Sequence, residues 1–492
     1  MRADFDLAVI GSGFGGSLIA MIARRLGRSV VMIERGRHPR FAIGESSTPL
    51  ANLLLEELAE RYDLPGVKPL CKWGSWQKAL PHIGCGLKRG FTFFQHAFGQ
   101  PVSGELLVAA SPRDAIADTH WYRPDFDQHL VAQAQALGVE FVDRTSLTSL
   151  TCRDRGFTLR AHGREIRAGF LVDASGPRGF LQRELHLAEK SFDGFPKTQA
   201  LFAHFRGVEK WETLHAPSER APYPPDDAAV HHVFDGGWIW VLRFNNGLTS
   251  AGAAVTDELA AELALHEGAA AWARLFERLP SVRAQFAASI PATPFVHQPR
   301  VAFRAGAAVG AGWAMLPSAA GVVDPLLSTG FPLTLLGVER LARIIEGGFQ
   351  PGALAEYERQ TFSELDGTAA LVAALYANMR DFETFSALTL LYFAAASFSE
   401  SARRLHRPDL ARPFLLHDDP RFGPALRECC RAPSAARIRE AIEPFDVAGL
   451  GRLERHPYYP ARAEDFMDAA HKLGATRADA ARALERAGFR SA

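Results

Sequence analysis

The sequence predicts an α/β fold with a Rossmann-like first domain, an inserted antiparallel β-sheet domain and a C-terminal helical region. A strand–helix–strand pattern opens the chain, β-rich segments separated by Gly and Asn turns occupy its middle, and helical periodicity prevails after about residue 333. From the positions of these patterns we expect three units. They are a discontinuous first domain of 1–180 and 290–345, a sheet domain of 181–289 and a helical region of 346–492.

The opening segment has the pattern of a βαβ unit. Phe5–Ile10 is an apolar strand, Gly15–Leu26 has helical apolar spacing, and Ser29–Ile33 is rich in β-branched residues. Parallel strands joined by a helix form a right-handed crossover within a sheet that is covered on both faces. Further elements are predicted downstream: a helix from Arg123 to Gly138, a strand Val139–Val142, a hairpin Ser146–Arg160 and a buried strand Phe170–Asp173.

The middle of the chain carries antiparallel hairpin signals. Ala229–Phe234, Trp238–Phe244 and Leu248–Val255 are predicted strands, and the short segments between them contain the turn-forming sequences Asp-Gly-Gly and Asn-Asn-Gly. These signals predict a separate antiparallel sheet inserted into the α/β domain.

Composition excludes several classes of protein. The 55 Lys and Arg balance the 55 Asp and Glu, so the chain lacks the overall basic charge of a nucleic-acid binder. The five cysteines show no metal-ligand spacing, which favours reduced thiols, no metal site and a cytoplasmic location. The N-terminus enters a strand and a glycine loop rather than a signal peptide. Polar residues interrupt the apolar stretch Phe382–Phe398, so we predict a buried helix and no membrane span.

A glycine loop follows the first strand. Gly11, Gly13 and Gly16 have the GxGxxG spacing between a strand and a helix, where main-chain amides at the helix N-terminus bind a pyrophosphate. Glu34 ends the second strand, where a carboxylate accepts hydrogen bonds from adenosine ribose hydroxyls. The bland alternative is a glycine-rich turn with an ordinary strand-end glutamate. An NAD site would share this fingerprint, so other segments must decide between the cofactors.

Three later segments favour FAD. They are Gly44-Glu45-Ser46, Arg123 ahead of Phe126–Leu130, and Ala319–Pro325 leading into Ser328-Thr329-Gly330. In this order the segments resemble the flavoprotein monooxygenase superfamily and, within it, the flavin-dependent halogenases. The resemblance implies that the chain binds FAD through the residues that match the family's cofactor motifs. These are Gly11, Gly13, Gly16, Glu34, Glu45, Ser46, Arg123, Asp324 and Gly330.

Two features qualify this assignment. Relatives carry Gly-Asp before Ala-Ala-Gly, and there the aspartate contacts the ribityl chain, whereas this sequence has Pro317-Ser318. A serine hydroxyl is a neutral and weaker partner for a ribityl hydroxyl. Arg123 has the alternative of a surface salt bridge to Asp127, four residues along the same helix.

Lys88 is the candidate catalytic residue. The segment Gly86–Phe93 resembles the one in which flavin-dependent halogenases carry a lysine between flavin and organic substrate. In that family the lysine receives hypochlorous acid and delivers electrophilic halogen to an electron-rich ring, as a chloramine or by hydrogen bonding. Burial suits an amine to this role because it lowers the pKa. The alternatives are a solvated lysine at the start of a strand, and Arg89 in place of Lys88.

Two further hallmarks of the family concern substrate and halide. Trp238 and Trp240 have the spacing of a Trp-x-Trp-x-Ile-Pro stretch that separates substrate from flavin, but Leu242-Arg243 replaces Ile-Pro. The alternative is ordinary sheet packing. The resemblance places a halide site at the backbone amides of Thr329 and Gly330. Enzymes of free tryptophan have a glutamate where this chain has Leu327, which favours the branch that acts on phenols, pyrroles or carrier-bound substrates.

The sequence thus predicts an FAD-dependent halogenase acting on an electron-rich aromatic compound of secondary metabolism, free or tethered to a carrier protein. It would use chloride or bromide and a separate flavin reductase, since a single dinucleotide fingerprint is present. Pro317-Ser318 and Leu242-Arg243 motivate an alternative, a related flavin-dependent monooxygenase or reductase without halogenation. A third hypothesis is that the protein binds flavin or an apolar ligand without catalysing a reaction.

Overall fold

A computed structural model describes residues 4–153, 156–161, 163–411 and 413–489. Its first large sheet has eight strands, most of them parallel, with Phe5–Ile10 at its centre between Arg164–Asp173 and Val30–Ile33. This confirms the predicted βαβ unit, whose helix is Phe14–Arg25. The strands of this sheet are Phe5–Ile10, Val30–Ile33, Glu140–Val142, Leu147–Arg153, Gly156–Ala161, Arg164–Asp173, Val309–Gly310 and Trp313–Met315.

The first sheet is buried on both faces. Leu7, Ala8 and Val9 are all fully buried, as expected for a strand with helices on either side. The predicted hairpin forms between Leu147–Arg153 and Gly156–Ala161, and its tip at 154–155 lies outside the described residues.

The second large sheet has nine strands and is mostly antiparallel. The three predicted strands of the middle segment are confirmed as consecutive antiparallel neighbours, each shifted by at most one residue at an end. The strands are Gly90–His96, Val102–Ala109, Thr198–Arg206, Ala229–Phe234, Gly237–Arg243, Thr249–Thr256, Ile290–Pro291, Val296–Gln298 and Tyr458–Tyr459.

This sheet extends beyond the segment 181–289 that was expected to contain it. Gly90–His96 pairs in parallel with Ala229–Phe234, and Tyr458–Tyr459 pairs with Val102–Ala109. The sheet is therefore completed by two strands between residues 90 and 109 and by one strand of the C-terminal region. Strand patterns in sequence reveal local hairpins, whereas these pairings join distant segments.

Two small sheets accompany the two large ones. Cys85–Lys88 pairs antiparallel with Asp118–Trp121, and Phe303–Ala305 pairs with both Glu189–Lys190 and Gly321–Val322. The first of these places Lys88 directly opposite Asp118.

The C-terminal half is helical, as predicted. The α-helices of the chain are Phe14–Arg25, Pro49–Arg61, Trp73–Ala79, Arg123–Ala136, Phe180–Glu184, Trp211–Leu214, Asp257–Glu262, Ala269–Arg278, Pro280–Gln285, Pro317–Ala320, Gly330–Glu346, Pro351–Ala377, Phe382–Arg404, Phe422–Arg431, Ala435–Ile442, Ala463–Ala469 and Arg477–Arg486. Phe382–Arg404 is a buried helix, as expected. Within the described ranges, none of these helices is long and apolar enough to cross a membrane.

One face of the second sheet packs against the helix Phe382–Arg404. The rings of Phe91 and Phe393 lie 4.8 Å apart, and those of Phe93 and Phe385 lie 5.9 Å apart. The opposite face packs on the helices between 257 and 285 around Trp272. The face toward Phe382–Arg404 carries the predicted catalytic segment.

Candidate active site

The glycine loop has the close backbone packing that its spacing predicts. A Cβ on Gly16 would lie 2.1 Å from the carbonyl oxygen of Gly11, and one on Gly11 would lie 2.5 Å from that of Ala174. Gly11 also has φ +99°, a conformation that favours glycine. A Cβ on Gly13 would instead approach the guanidinium groups of Arg123 and Arg40 at 3.5 and 3.7 Å. The loop therefore holds the helix tightly on the strand and turns Gly13 toward positive charge.

Glu34 is held at the rim of this loop. Its carboxylate accepts hydrogen bonds from the backbone N–H of Gly36 at 2.9 Å and from the Ser12 hydroxyl at 2.8 Å, and Arg40 lies 3.4 Å away. Burial opposes its ionisation, but Arg40 and these hydrogen bonds outweigh burial and lower the pKa of Glu34. The residue is therefore an anionic acceptor at neutral pH.

A cavity of about 360 Å³ lies against the loop and Glu34. Polar and charged groups on its wall include Glu34, Arg40, Thr145, Ser146, Ser175 and Arg183. A groove with glycine amides, a carboxylate and arginines matches the diphosphate and ribose of a dinucleotide. The residues present thus fit the adenosine half of the FAD that the resemblance implies.

Arg123 forms the predicted ion pair with Asp127, but inside the protein rather than on its surface. Its guanidinium donates two hydrogen bonds to Asp127, at 2.9 and 2.8 Å, and only 5% of Arg123 is exposed. Another guanidinium nitrogen donates to the carbonyl oxygens of Ile43 and Gly44 at 3.2 and 2.8 Å. Arg123 therefore anchors the turn Gly44-Glu45-Ser46 next to the glycine loop.

Glu45 and Ser46 point away from each other within that turn. Oε1 of Glu45 shares a hydrogen bond of 2.8 Å with Nε2 of His204, while its Oε2 is buried and has no hydrogen-bond partner among the described residues. The Ser46 hydroxyl accepts from Lys88 at 2.9 Å. The turn thus links the cofactor side of the site to the candidate catalytic lysine.

Lys88 is fully buried, which argues against a solvated lysine. Its Nζ donates hydrogen bonds to the Ser46 hydroxyl and to the Ser47 carbonyl, and it lies 3.7 Å from the centre of the Phe91 ring. Burial lowers the pKa of Lys88 to about 7, against the opposing effect of Asp118. An amine with such a pKa is available as a nucleophile near neutral pH.

Arg89 lies elsewhere. Its guanidinium forms an ion pair with Asp114 at 2.7 Å, and its own backbone N–H is bonded to Asp227. Arg89 therefore does not substitute for Lys88 in the interior.

Trp238 and Trp240 lie on the same face of the second sheet, as their spacing predicts, with ring centres 5.6 Å apart. Gly252 on the neighbouring strand makes room for Trp240, because a Cβ there would lie 2.3 Å from its ring. Leu242 follows on this face as a buried apolar residue. Arg243 points to the other face and forms an ion pair of 2.6 Å with Asp226. The exchange of Ile-Pro for Leu242-Arg243 therefore leaves the aromatic face intact.

Asp324, a predicted FAD-binding residue, is hydrogen-bonded to three groups of the protein. Its carboxylate accepts hydrogen bonds from the Trp238 indole at 3.3 Å, the Tyr376 hydroxyl at 3.0 Å and the backbone N–H of Leu326 at 3.0 Å. Burial raises its pKa to about 6, although these hydrogen bonds lower it. Because both of its carboxylate oxygens accept hydrogen bonds from protein donors, Asp324 helps to fix the position of the Trp238 indole.

Pro317-Ser318 begins a short helix, Pro317–Ala320. The proline packs against the helix Gly330–Glu346, where a Cβ on Gly337 would lie 2.3 Å from its ring. Ser318 is half-buried at this helix start. The departure from Gly-Asp thus fills space between two helices.

The segment before Gly330 has an unusual backbone. Leu327 and Ser328 both have positive φ, +64° and +57°. The carbonyl of Leu327 accepts a hydrogen bond of 3.0 Å from Tyr392. Thr329 is buried, and a Cβ on Gly330 would meet no atom within 4 Å. Successive backbone amides at this helix start, beside open space, form the kind of turn that binds an anion.

A second cavity, of about 130 Å³, lies beneath the C-terminal region and is lined by Phe91, the ring that Lys88 contacts. Its wall combines aromatic rings with one acid–base pair and includes Phe91, Tyr392, Phe393, Glu400, Arg404 and Tyr459. The segment 447–489 closes it from the far side. This assigns a role to the C-terminal region, which sequence patterns left open.

The structure brings most of the predicted residues to two connected places. Gly11 and Glu34 line the first cavity, and Gly13, Gly16 and Arg123 lie at the adjoining glycine loop. Lys88 contacts Phe91 on the wall of the second cavity and Ser46 of the turn that Arg123 anchors. Sequence reasoning missed Asn52, Asp118, Tyr376, Tyr392, Glu400 and Arg404. They belong to helices and strands whose contacts with the site are non-local, so no spacing in the sequence signals them.

Comparisons with known proteins agree with this geometry. A model of the tryptophan halogenase family matches residues 119–386. The chain is 28% identical over 401 residues to monodechloroaminopyrrolnitrin halogenase PrnC of Pseudomonas fluorescens, covering 79% of this chain and 70% of that protein. It is 30% identical over 343 residues to tetracycline 7-halogenase of Kitasatospora aureofaciens, covering 67% of this chain and 61% of that one.

Among solved structures, the halogenase PltM in complex with phloroglucinol and FAD has a TM-score of 0.82 at 23% identity, over 93% of this chain and 99% of that chain. At this identity the likeness establishes the fold, and it confirms the predicted α/β class. The family model covers more than half of the 492 residues and confirms the halogenase resemblance of the motifs. The protein belongs to the tryptophan halogenase family.

Proposed function

We propose that this protein is an FAD-dependent halogenase that attaches chlorine or bromine to an electron-rich aromatic compound of secondary metabolism. The position of Lys88 carries the proposal. Its amine is buried between the turn Gly44-Glu45-Ser46 on the cofactor side and the ring of Phe91, which lines the second cavity. A single amine at this junction is placed to pass an electrophile from one compartment to the other.

The cofactor would be held by the residues of the first cavity and its rim. Gly11, Gly13 and Gly16 present the loop amides, Glu34 accepts from the ribose, and the turn anchored by Arg123 flanks the rest. Reduced FAD, when bound, supplies the chemistry that turns oxygen and halide into hypohalous acid. The first-turn amides at Thr329 and Gly330 bind the halide ion, because they lack intrahelical acceptors and the space beside Gly330 is open.

Lys88 receives the halogen as a neutral amine. Burial lowers the pKa of Lys88 below that of a solvated lysine, which favours the neutral amine. The Ser46 hydroxyl and Ser47 carbonyl orient the nitrogen toward the Phe91 side. Trp238 and Trp240 form a rigid wall that keeps the aromatic substrate from the cofactor side. Because Lys88 is fully buried, bulk solvent does not reach its amine, which limits loss of the electrophile by hydrolysis.

The second cavity takes the aromatic ring of the substrate. A protein cavity of about 150 Å³ accommodates benzene, and this one measures about 130 Å³. It therefore fits one ring rather than a polycyclic system. The Glu400–Arg404 pair, 2.8 Å apart, offers hydrogen-bonding groups for a phenolic hydroxyl or a ring N–H. Tyr392 and Phe393 supply the apolar remainder.

Two further partners complete the proposal. A separate flavin reductase supplies reduced FAD, because the one dinucleotide fingerprint of the sequence is accounted for by FAD. We place the reaction in the cytoplasm, where such reductases and reduced thiols coexist; adjacent free Cys429 and Cys430 agree with this compartment. A carrier protein that presents the ring as a thioester is the alternative to a free substrate.

The experiment is a product assay by mass spectrometry. The protein is incubated with FAD, a flavin reductase, NADH, oxygen and bromide or chloride, with phloroglucinol, resorcinol and pyrrole-2-carboxylate as free probes and a pyrrolyl carrier protein as the tethered one. We expect a product with the chlorine or bromine isotope pattern that disappears when halide is omitted. A product that gains only oxygen would instead establish the monooxygenase alternative. Failure of the apoprotein to take up FAD on titration would instead favour the third hypothesis, a protein that binds an apolar ligand without turnover.

A further inference from the structure

A buried carboxylate faces Lys88 across a strand pair. Cys85–Lys88 and Asp118–Trp121 run antiparallel, and their register sets Lys88 against Asp118. Residues directly opposite in such a pair have neighbouring side chains on one face of the sheet. Lys88 is 0% exposed and Asp118 is 6% exposed. The two opposite charges are therefore neighbours in the interior.

Asp118 is held in place from one side only. Its Oδ1 accepts a hydrogen bond of 2.9 Å from the Asn52 amide on the helix Pro49–Arg61. Its Oδ2 is buried and has no hydrogen-bond partner among the described residues. A buried carboxylate oxygen without a partner is costly, so it is retained for a purpose or compensated by a nearby positive charge.

The other charged and titratable groups around this pair belong to three elements. His120 lies on the Asp118 strand and His231 on the strand Ala229–Phe234, and burial together with the charge of Lys88 lowers the pKa of both, which keeps them neutral. Glu400 and Arg404 of the helix Phe382–Arg404 face Asp118 and offset each other as an ion pair. Asp118 is thus the carboxylate that acts directly on Lys88.

The turn before Thr329 supplies no carboxylate, because residue 327 is a leucine. Leu327 is buried and bonded through its carbonyl to Tyr392, so it contributes no charge. A carboxylate from a different strand occupies the neighbourhood of the lysine instead.

We propose that Asp118 is a positioning residue that serves as the counter-ion of Lys88, allowing the amine to hold and release its proton inside the protein. Within the pair, the ammonium of Lys88 gives one proton to the carboxylate of Asp118, which leaves a neutral amine and a neutral acid. The exchange creates no net charge in the interior. The proposal rests on the role of Lys88 in the proposed function.

The test measures the protonation of Lys88 without any halogenation. The apoprotein is prepared with lysine labelled with carbon-13 at Cε, and the Lys88 resonance is assigned as the one missing from Lys88→Met. Its chemical shift is followed against pH in wild type, Asp118→Asn and Asp118→Glu. Because the carboxylate favours the ammonium, we expect Asp118→Asn to lower the midpoint by about one unit or more and Asp118→Glu to restore most of it.

Halogenation is then measured over the same pH range in the same variants. We expect the acidic limb of the activity profile to move with the NMR midpoint, because Lys88 acts as the neutral amine, and a merely structural residue would not cause this shift. An unchanged Lys88 midpoint in folded Asp118→Asn overturns the proposal, whatever the activity. If Asp118→Asn shifts the Lys88 midpoint but wild type forms no halogenated product, the counter-ion role of Asp118 stands and the proposed function is rejected.

A reciprocal variant covers the case in which Asp118→Asn does not fold. Lys88→Met removes the charge that favours ionisation of Asp118, so at a pH slightly above neutral the protonated carboxyl should become visible as an infrared band. That band should be absent from the double variant Lys88→Met/Asp118→Leu. Identical carboxyl spectra of wild type and Lys88→Met at that pH would overturn the proposal.

Discussion

The Trp238 indole donates a hydrogen bond of 3.3 Å to the carboxylate of Asp324. This contact joins the second sheet to the segment before the helix Gly330–Glu346. Tyr376 donates to the same carboxylate at 3.0 Å and adds the helix Pro351–Ala377. A single buried acid thus links the strand of Trp238, the turn at Leu326 and a long helix.

Stability should depend on pH through Asp324. Burial raises its folded pKa from 3.8 to about 6, so the stability it contributes is complete below the unfolded pKa and is lost as pH rises through about 6. Asp324→Asn lacks this titration. Relative to the variant, wild type should lose about 3 kcal/mol of unfolding free energy between about pH 4 and about pH 7.5. Urea unfolding at both values checks this. Parallel losses in the two proteins would contradict the assigned burial.

The buried Arg123–Asp127 pair should contribute far more to the free energy of unfolding than an exposed ion pair of the same spacing. Arg123→Gln leaves Asp127 buried without a partner, which costs about 3 to 5 kcal/mol of unfolding free energy. It also frees the turn at Gly44, so FAD affinity should fall. Arg343→Gln removes the exposed i,i+4 partner of Glu339 and serves as the matched control. It should cost less than about 1 kcal/mol. Equal losses in the two variants, measured by urea unfolding, would show that Arg123 is not an anchor.

Gly330 should matter for activity but not for folding. A Cβ at Gly330 or at Gly352 meets no atom within 4 Å, and both glycines lie in the first turn of a helix. Ala at either position should therefore leave the melting temperature unchanged or slightly raised. Only Gly330→Ala places a methyl group in the proposed halide space, and it should reduce kcat/KM for halide about ten- to hundredfold. Equal activity of the two variants would place the halide elsewhere.

Filling the second cavity should exclude the substrate. Ala396 lines this cavity on the helix Phe382–Arg404, and Ala396→Phe occupies space needed by an aromatic ring. We expect kcat/KM for the organic substrate to fall about tenfold or more, with FAD affinity unchanged. Ala353→Phe, at an exposed position on another helix, is the control. Normal kinetics in Ala396→Phe would mean that the ring binds in another place.

Local patterns predicted the parts of the fold that local forces determine. The glycine loop, its βαβ unit and the three-stranded meander at 229–256 follow from periodicity and turn residues over a few positions. The pairing of Gly90–His96 with Ala229–Phe234 depends on tertiary packing between distant segments. The domain boundaries therefore remain a prediction, and the nine-stranded sheet includes strands from outside the predicted sheet domain 181–289.

The candidate site shows the same division. Gly11, Gly16 and Lys88 stand in motifs that the sequence displays, and the structure gives each a matching environment. Asp118 gains significance only from its burial opposite Lys88, and Glu400 from its proximity to Asp118, and no spacing in the sequence reveals either relationship. Asp324 illustrates the opposite case, since its motif was visible but its hydrogen-bond partners were not.

The most direct test of the account compares halogenated product with oxygen consumption in Lys88→Ala. The assay contains FAD, a flavin reductase, NADH and bromide, and Lys78→Ala, which changes an exposed lysine, is the matched control. We expect Lys88→Ala to bind FAD and consume oxygen like wild type while product per oxygen falls about a hundredfold or more. Lys78→Ala should match wild type in both quantities. If Lys88→Ala forms as much halogenated product per oxygen as wild type, Lys88 does not carry the halogen and the central claim is wrong.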